Sequence, residues 1–183
     1  MKKIIFFPSL LLVVVAFVSC SKDKAPAHGQ ETVTFDIPFS VLIPANTSQT
    51  TVSTPDSTFT LSGVLSAANQ DKANYVSSST LSRADSKISF LGFTNTGATL
   101  SNISFSTTDN GIKSGTLVDA YNQPLVITAD TVLGGDVYTT ILGQMGDYLA
   151  SKKSITLHIT YKAGNQNITT GKINLHFSTV FSW

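Results

Sequence analysis

The sequence predicts a mainly β protein, a sandwich of short strands with one amphipathic helix near its C-terminal end. Three observations carry this expectation. Residues 33–43 and 155–161 alternate apolar and polar side chains with a period of two, as a half-buried strand requires. Residues 138–149 switch to a helical period. Ser and Thr are abundant while Glu31 is the only glutamate, which favours strands and turns over helical bundles.

Taken in order, the first strand is the clearest. Val33, Phe35, Ile37, Phe39, Val41 and Ile43 fall on one face. Pro38 cannot donate to a ladder, so the strand belongs at a sheet edge or carries a bulge. Pro44 closes it, and residues 45–57, polar with Pro55, form a loop. Phe59, Leu61 and Leu65 suggest a second strand, with Gly63 a bulge position. Residues 66–74 suit a short helix and residues 75–81 a third strand. Ile88 to Phe93 is apolar on both faces, as in a central strand. Asn95-Thr96-Gly97 is a turn, residues 100–107 a strand with Ile103 and Phe105 facing in, and Asp109-Asn110-Gly111 another turn. Two short strands follow, at about 115–120 and 125–128, divided by Asn122-Gln123-Pro124.

Tyr138, Ile141, Leu142, Met145 and Leu149 then make a helical stripe over about 136–150. Asp136 suits the N-cap, and Lys152 and Lys153 suit the negative end of the helix dipole. Ile155, Leu157, Ile159 and Tyr161 return to period two. Beyond a turn at 164–167, Ile173, Leu175, Phe177, Phe181 and Trp183 complete an expected antiparallel C-terminal hairpin. About 7–9 strands with one crossover helix at this spacing suit an immunoglobulin-like β-sandwich.

The N-terminus predicts a destination. Lys2 and Lys3 precede an uncharged apolar run at residues 4–18, shorter than the roughly 20 residues of a membrane-spanning helix and suited to a signal peptide. The run ends in Phe17-Val18-Ser19-Cys20, with Cys20 the only cysteine of the chain. A small residue before a lone cysteine resembles the lipobox of bacterial lipoproteins, with Phe17 in place of the usual Leu. The resemblance implies cleavage before Cys20, a diacylglycerol on its sulfur and an acyl chain such as palmitate on its amine. Two or more chains give stable anchoring. The lysines and the aspartate of residues 21–26 resemble a weak form of the charged tract that follows the cysteine in surface-exposed lipoproteins of the Bacteroidota. The strand pattern of residues 75–183 is similar to that of β-sandwich lipoproteins from the same bacteria. The expected organisation is a signal peptide at 1–19, an acylated cysteine and flexible tether at 20–31, and a single domain at 32–183. The expected location is the cell envelope, lipid-anchored to the outer membrane on its periplasmic or outer face.

Removing residues 1–19 of 183 leaves 164, enough for one independent core. Without Lys2 and Lys3 the 12 basic residues fall to ten, against 11 acidic ones. That balance argues against a nucleic-acid partner, whose affinity needs a basic patch. A lone cysteine leaves no intramolecular disulfide, so stability must come from packing.

Chemical motifs are few. His158 and His176 share a polar face if the hairpin pairs as expected, but two imidazoles make no zinc site, and solvent-facing histidines are the simpler reading. A Ser-His-Asp triad could be assembled from His158, a serine and an aspartate, but nothing in the sequence selects them, and no Gly-x-Ser-x-Gly elbow occurs. Asp109-Asn110-Gly111 matches no calcium loop, and Gly134-Gly135 matches no phosphate loop. Tyr75, Tyr121, Tyr138, Tyr148 and Trp183 are the pool for stacking on a sugar, with Tyr121 the best surface candidate. Asp56-Ser57-Thr58 and Asp130-Thr131-Val132 resemble sites that Bacteroidota O-glycosylate in loops, at Ser57 and Thr131. The expected function is a non-enzymatic, membrane-anchored binding or structural module of the envelope, with no metal, cofactor or catalytic residue. The alternatives are a carbohydrate-binding, adhesin-like module and an envelope hydrolase.

Overall fold

The first period-two run becomes β1 (Gln30–Ile43) in the computed structural model. The structure describes residues 27–95, 97–107, 115–117, 125–127, 130–133, 136–165 and 167–183. β2 (Asn46–Ser53) and β3 (Ser57–Thr60) follow, then a helical turn, α1 (Leu61–Val64), and a 3-10 turn at Gln70–Tyr75. β4 (Ser78–Leu81), β5 (Lys87–Leu91) and β6 (Thr99–Thr107) come next. The short β7 (Gly115–Leu117), β8 (Leu125–Val126) and β9 (Asp130–Leu133) precede α2 (Asp136–Lys152). β10 (Ser154–Asn165) and β11 (Thr169–Ser182) close the fold.

Two antiparallel sheets face each other. One runs β1-β11-β5-β9, with β4 continuing alongside β11, and the other runs β2-β10-β6-β7, with β3 on β10 and β8 on β6. The mainly β, two-sheet architecture and, among the described residues, the single long helix are those the sequence predicts. The two C-terminal strands also form where expected, but they do not pair with each other. β10 lies in one sheet and β11 in the other, so their connection is an arch across the sandwich rather than a hairpin. The reason is legible in their inward faces. Leu157, Ile159 and Tyr161 on β10 and Ile173, Leu175 and Phe177 on β11 are all buried, and each row covers the other across the core. Each strand then finds its ladder partners elsewhere.

β1 is an edge strand in unbroken register with β11, from Gln30 opposite Ser182 to Ile43 opposite Thr169. Gly29 and Trp183 exchange both backbone hydrogen bonds, each 2.9 Å. Alternation along the ladder therefore gives the odd residues of β1 to β11 and turns the even ones, Pro38 among them, to the free edge. The missing N–H of Pro38 thus costs the sheet nothing. Phe35 stacks on its cross-strand partner Phe177 with ring centroids 4.8 Å apart.

Several local expectations are corrected. Residues 45–57 form strand rather than loop over most of their length, because a Thr-rich segment pairs readily along β10 as an exposed edge. The expected strand through residues 59–65 ends at Thr60, whose hydroxyl accepts the Gly63 N–H at 3.2 Å and caps α1, turning Leu61 and Leu65 into the core. The helix expected at 66–74 is a 3-10 turn displaced to 70–75. β1 begins at Gln30, so strand starts two residues before the expected domain boundary, and Glu31 accepts hydrogen bonds from Ser66 N and Asn69 Nδ2 at 3.1 Å each. α2 buries Ile141, Leu142, Met145 and Leu149 as its stripe requires, and Gly146 lets it approach Ser79 of β4 and Thr179 of β11. No helix among the described residues is long and apolar enough to cross a membrane.

Candidate functional site

Two constellations stand out, at different places on the sandwich. The first is a cleft of about 870 Å³ where the chain enters the fold, lined by Ala27, His28, Gln30, Tyr75, Ser182 and Trp183 among others. The 3-10 turn delivers Tyr75, which is 39% exposed. Ser77 N donates to Ser182 O at 2.8 Å and fixes the segment after Tyr75 to the end of β11. The Trp183 indole lies over Gly29 so closely that a Cβ there would sit 2.8 Å from Nε1. A glycine at 29 is therefore what lets the indole settle against the backbone. Aromatic surface beside hydroxyl and amide side chains suits a ligand with one apolar face and a polar rim.

The second lies on the outer face of the sheet built on β10. His158 stands directly opposite Ser106 of β6, and Ser106 Oγ is 2.6 Å from His158 Nε2. On the other flank, Thr54 is pinned to Ile159 twice: its N–H donates to Ile159 O and its hydroxyl oxygen accepts from Ile159 N–H, both 2.9 Å. Pairing resumes at Ser57 opposite Leu157. Pro55 and Asp56 together therefore oppose the single residue His158, which is a β-bulge. The bulge brings Asp56 Oδ1 to 3.5 Å from His158 Nδ1. Nδ1 is buried and has no hydrogen bond of good geometry. The Nε2-acceptor tautomer, with Ser106 donating, suits both contacts.

His176 lies on the outer face of the opposite sheet, so the two imidazoles expected to share a face are separated by the whole core. His176 Nδ1 is 2.8 Å from Asp36 Oδ1, which also accepts from Asn174 Nδ2 at 2.7 Å. Burial raises the Asp36 carboxyl, but the hydrogen bonds from His176 and Asn174 and the nearby Lys87 charge outweigh it and leave the group below its ordinary value. This is a cross-strand surface cluster. Among the described residues no three of His, Cys, Asp and Glu gather as metal ligands.

Of the residues singled out by sequence, Cys20 and Tyr121 lie outside the described residues, as do the Asp109-Asn110-Gly111 turn and Gly134-Gly135. Ser57 and Thr131 are corrected. Both stand in strands, β3 and β9, rather than in the loops expected, half-buried and opposite the buried Leu157 and Phe90. Tyr138 packs against the core, and Tyr75 and Trp183 come together although 108 positions apart in the sequence. Nothing in the sequence selected Ser106 or Asp56 as partners of His158, and Pro55 hinted only at an interruption of strand pairing beside them.

Compared with known proteins, the chain matches no family model, no curated protein and no solved structure at a significant level.

Proposed function

We propose that this chain is a lipid-anchored binding module of the bacterial cell envelope, and that it holds a saccharide in the cleft beside Tyr75 and Trp183. The observation that carries the reading is the convergence of those two aromatics with serine, glutamine and histidine side chains in one cleft. A pyranose ring offers an apolar face for stacking and hydroxyls for the polar rim, and stacking is the way aromatic surfaces hold such ligands. The binding role requires no chemistry from the cleft.

The anchor supports the location. Cys20 precedes Ala27, at the rim of the cleft, by only seven residues. An extended chain of that length spans at most ~25 Å. Acylation at Cys20 therefore holds the cleft close to the lipid surface, and the saccharides nearest to hand are those of the outer membrane itself.

Trp183 is the only tryptophan, so its fluorescence reports on the cleft alone. Titration of the domain from residue 27 onward with neutral and acidic oligosaccharides is expected to shift and quench that emission for at least one class. Tyr75→Ala is expected to weaken the response at least tenfold without lowering the melting temperature. Emission indifferent to every saccharide tried removes the ligand reading. For the anchor, Cys20→Ser is expected to move the product from the membrane to the soluble fraction of the cells, and an unchanged membrane fraction removes the lipid attachment.

A further inference from the structure

We infer that Ser106, His158 and Asp56 form a nucleophilic relay that accepts acyl groups from small activated esters. This goes beyond the binding reading, rests on different residues and stands or falls independently of it. Three observations converge on it. Ser106 Oγ and His158 Nε2 are 2.6 Å apart, within the reach a general base needs to take a hydroxyl proton. The other ring nitrogen is buried, lacks a well-formed hydrogen bond and has the Asp56 carboxylate 3.5 Å away. Asp56 owes that position to the bulge that sets Pro55 and Asp56 opposite His158, between the Thr54–Ile159 contacts and the Ser57–Leu157 pair, the kind of irregularity that re-aims a side chain. The nucleophile, its base and a third group orienting the base are thus assembled from three strand segments far apart in sequence.

The chemistry is an acyl transfer. Ser106 Oγ adds to the carbonyl carbon of an ester as its proton passes to His158 Nε2. The tetrahedral adduct collapses with loss of the alcohol, which takes that proton from His158, leaving an acyl ester on Ser106. Water then adds to this ester with His158 again as base, and a carboxylic acid leaves as the Ser106 hydroxyl is restored. Asp56 acts as a positioning residue, holding the imidazole proton on Nδ1. The site lies on the outer face of a sheet, which suits small acyl groups such as acetyl on an accessible hydroxyl, and good leaving groups rather than amides.

The test uses the protein from residue 27 onward, a fluorophosphonate probe and 4-nitrophenyl acetate. With the probe, Ser106 Oγ displaces fluoride from phosphorus and His158 takes the proton. The folded protein is expected to be labelled at Ser106 by peptide mass, at least tenfold faster than the same protein unfolded in urea. Ser106→Ala is expected to abolish the label and the acetyl transfer. His158→Gln keeps an acceptor for the Ser106 hydroxyl but no base. It is expected to retain the melting temperature and slow labelling by about 100-fold, within the range of general-base catalysis. Asp56→Asn is expected to slow it by about tenfold. A folded protein labelled no faster than the unfolded chain, equal labelling of Ser106→Ala, or wild-type labelling of a folded His158→Gln overturns the proposal. The comparison of folded with unfolded wild type needs no variant to fold.

Discussion

Gly171 and Lys153 show how much single residues decide here. A Cβ built on Gly171 would lie 2.6 Å from the ring of the buried Phe93, too close for any real contact. Gly171→Ala is therefore expected to destabilise the protein by about 1–3 kcal/mol, the usual cost of overpacking. Adding Phe93→Leu should recover part of the loss in a denaturant titration, and two independent, additive losses would show that the ring is not the cause. Lys153 follows α2 with a φ of 67°, a left-handed conformation that closes helices. Its ammonium donates to Ala150 O at 2.7 Å and to Val76 O, and its carbonyl accepts from Leu61 N at 2.7 Å. Burial pulls the ammonium below its ordinary value, but it donates to Ala150 O at the negative end of α2 and to Val76 O just past the 3-10 turn. Lys153→Ala keeps the strained backbone and loses those bonds, with an expected cost of about 1–2 kcal/mol. Lys153→Gly relieves the backbone and should fall between wild type and the alanine variant in thermal unfolding. A glycine variant less stable than the alanine one would overturn this account.

At the scale of elements, the long outer edge of β1 needs explaining. It presents the even-numbered backbone groups of Gln30–Ile43 along one side of a sheet, an invitation to pair with another chain. Pro38 interrupts that row from the outward side, and Thr32, Thr34, Asp36 and Ser40 keep the same face polar. Pro38→Val restores a donor there without disturbing the ladder to β11. The fold is expected to survive with unchanged circular dichroism, while light scattering at high concentration reports self-association that the wild type lacks. A variant as monomeric as the wild type would mean that the edge is guarded by other means. α2 illustrates the opposite case, an element whose stripe left no freedom. Its buried residues are those the 3.6-residue period picks out, because a helix with one apolar face can bury only that face.

Across the whole molecule, one hydroxyl ties the two sheets together. Tyr161 of β10, 1% exposed, donates to Leu42 O on the free edge of β1 at 3.1 Å. Burial pushes its phenol up to about 12, against 10.0 for an ordinary tyrosine. The sign follows from that direction. The folded state holds the proton more tightly than the unfolded one, so the contribution to stability is complete below pH ~10 and is lost as pH rises through about 12. Tyr161→Phe is expected to lose about 1 kcal/mol at pH 7 with the hydrogen bond. Its stability should then fall less steeply than that of the wild type between pH 10 and 12. Denaturant midpoints measured across that window check the prediction, and parallel slopes for the two proteins would refute it.

The sequence by itself determined which segments lie half-buried. In β1, β6, α2, β10 and β11 the spacing of apolar residues dictates the face that leaves water, and burial follows it at Ile37, Phe105, Leu142, Ile159 and Phe177. Polar segments were harder to read. β2 and β9 carry little apolar signal and exist because neighbouring edges offer unpaired backbone groups, a fact no local window contains. Partner choice was likewise tertiary. β10 and β11 look like a hairpin in one dimension, yet two strands that each need a full apolar cover gain more by facing each other across a core than by lying side by side. The same holds for the sites. Tyr75 meets Trp183, and Asp56 meets His158 and Ser106, only because strand register and one bulge set distances that sequence separation does not encode.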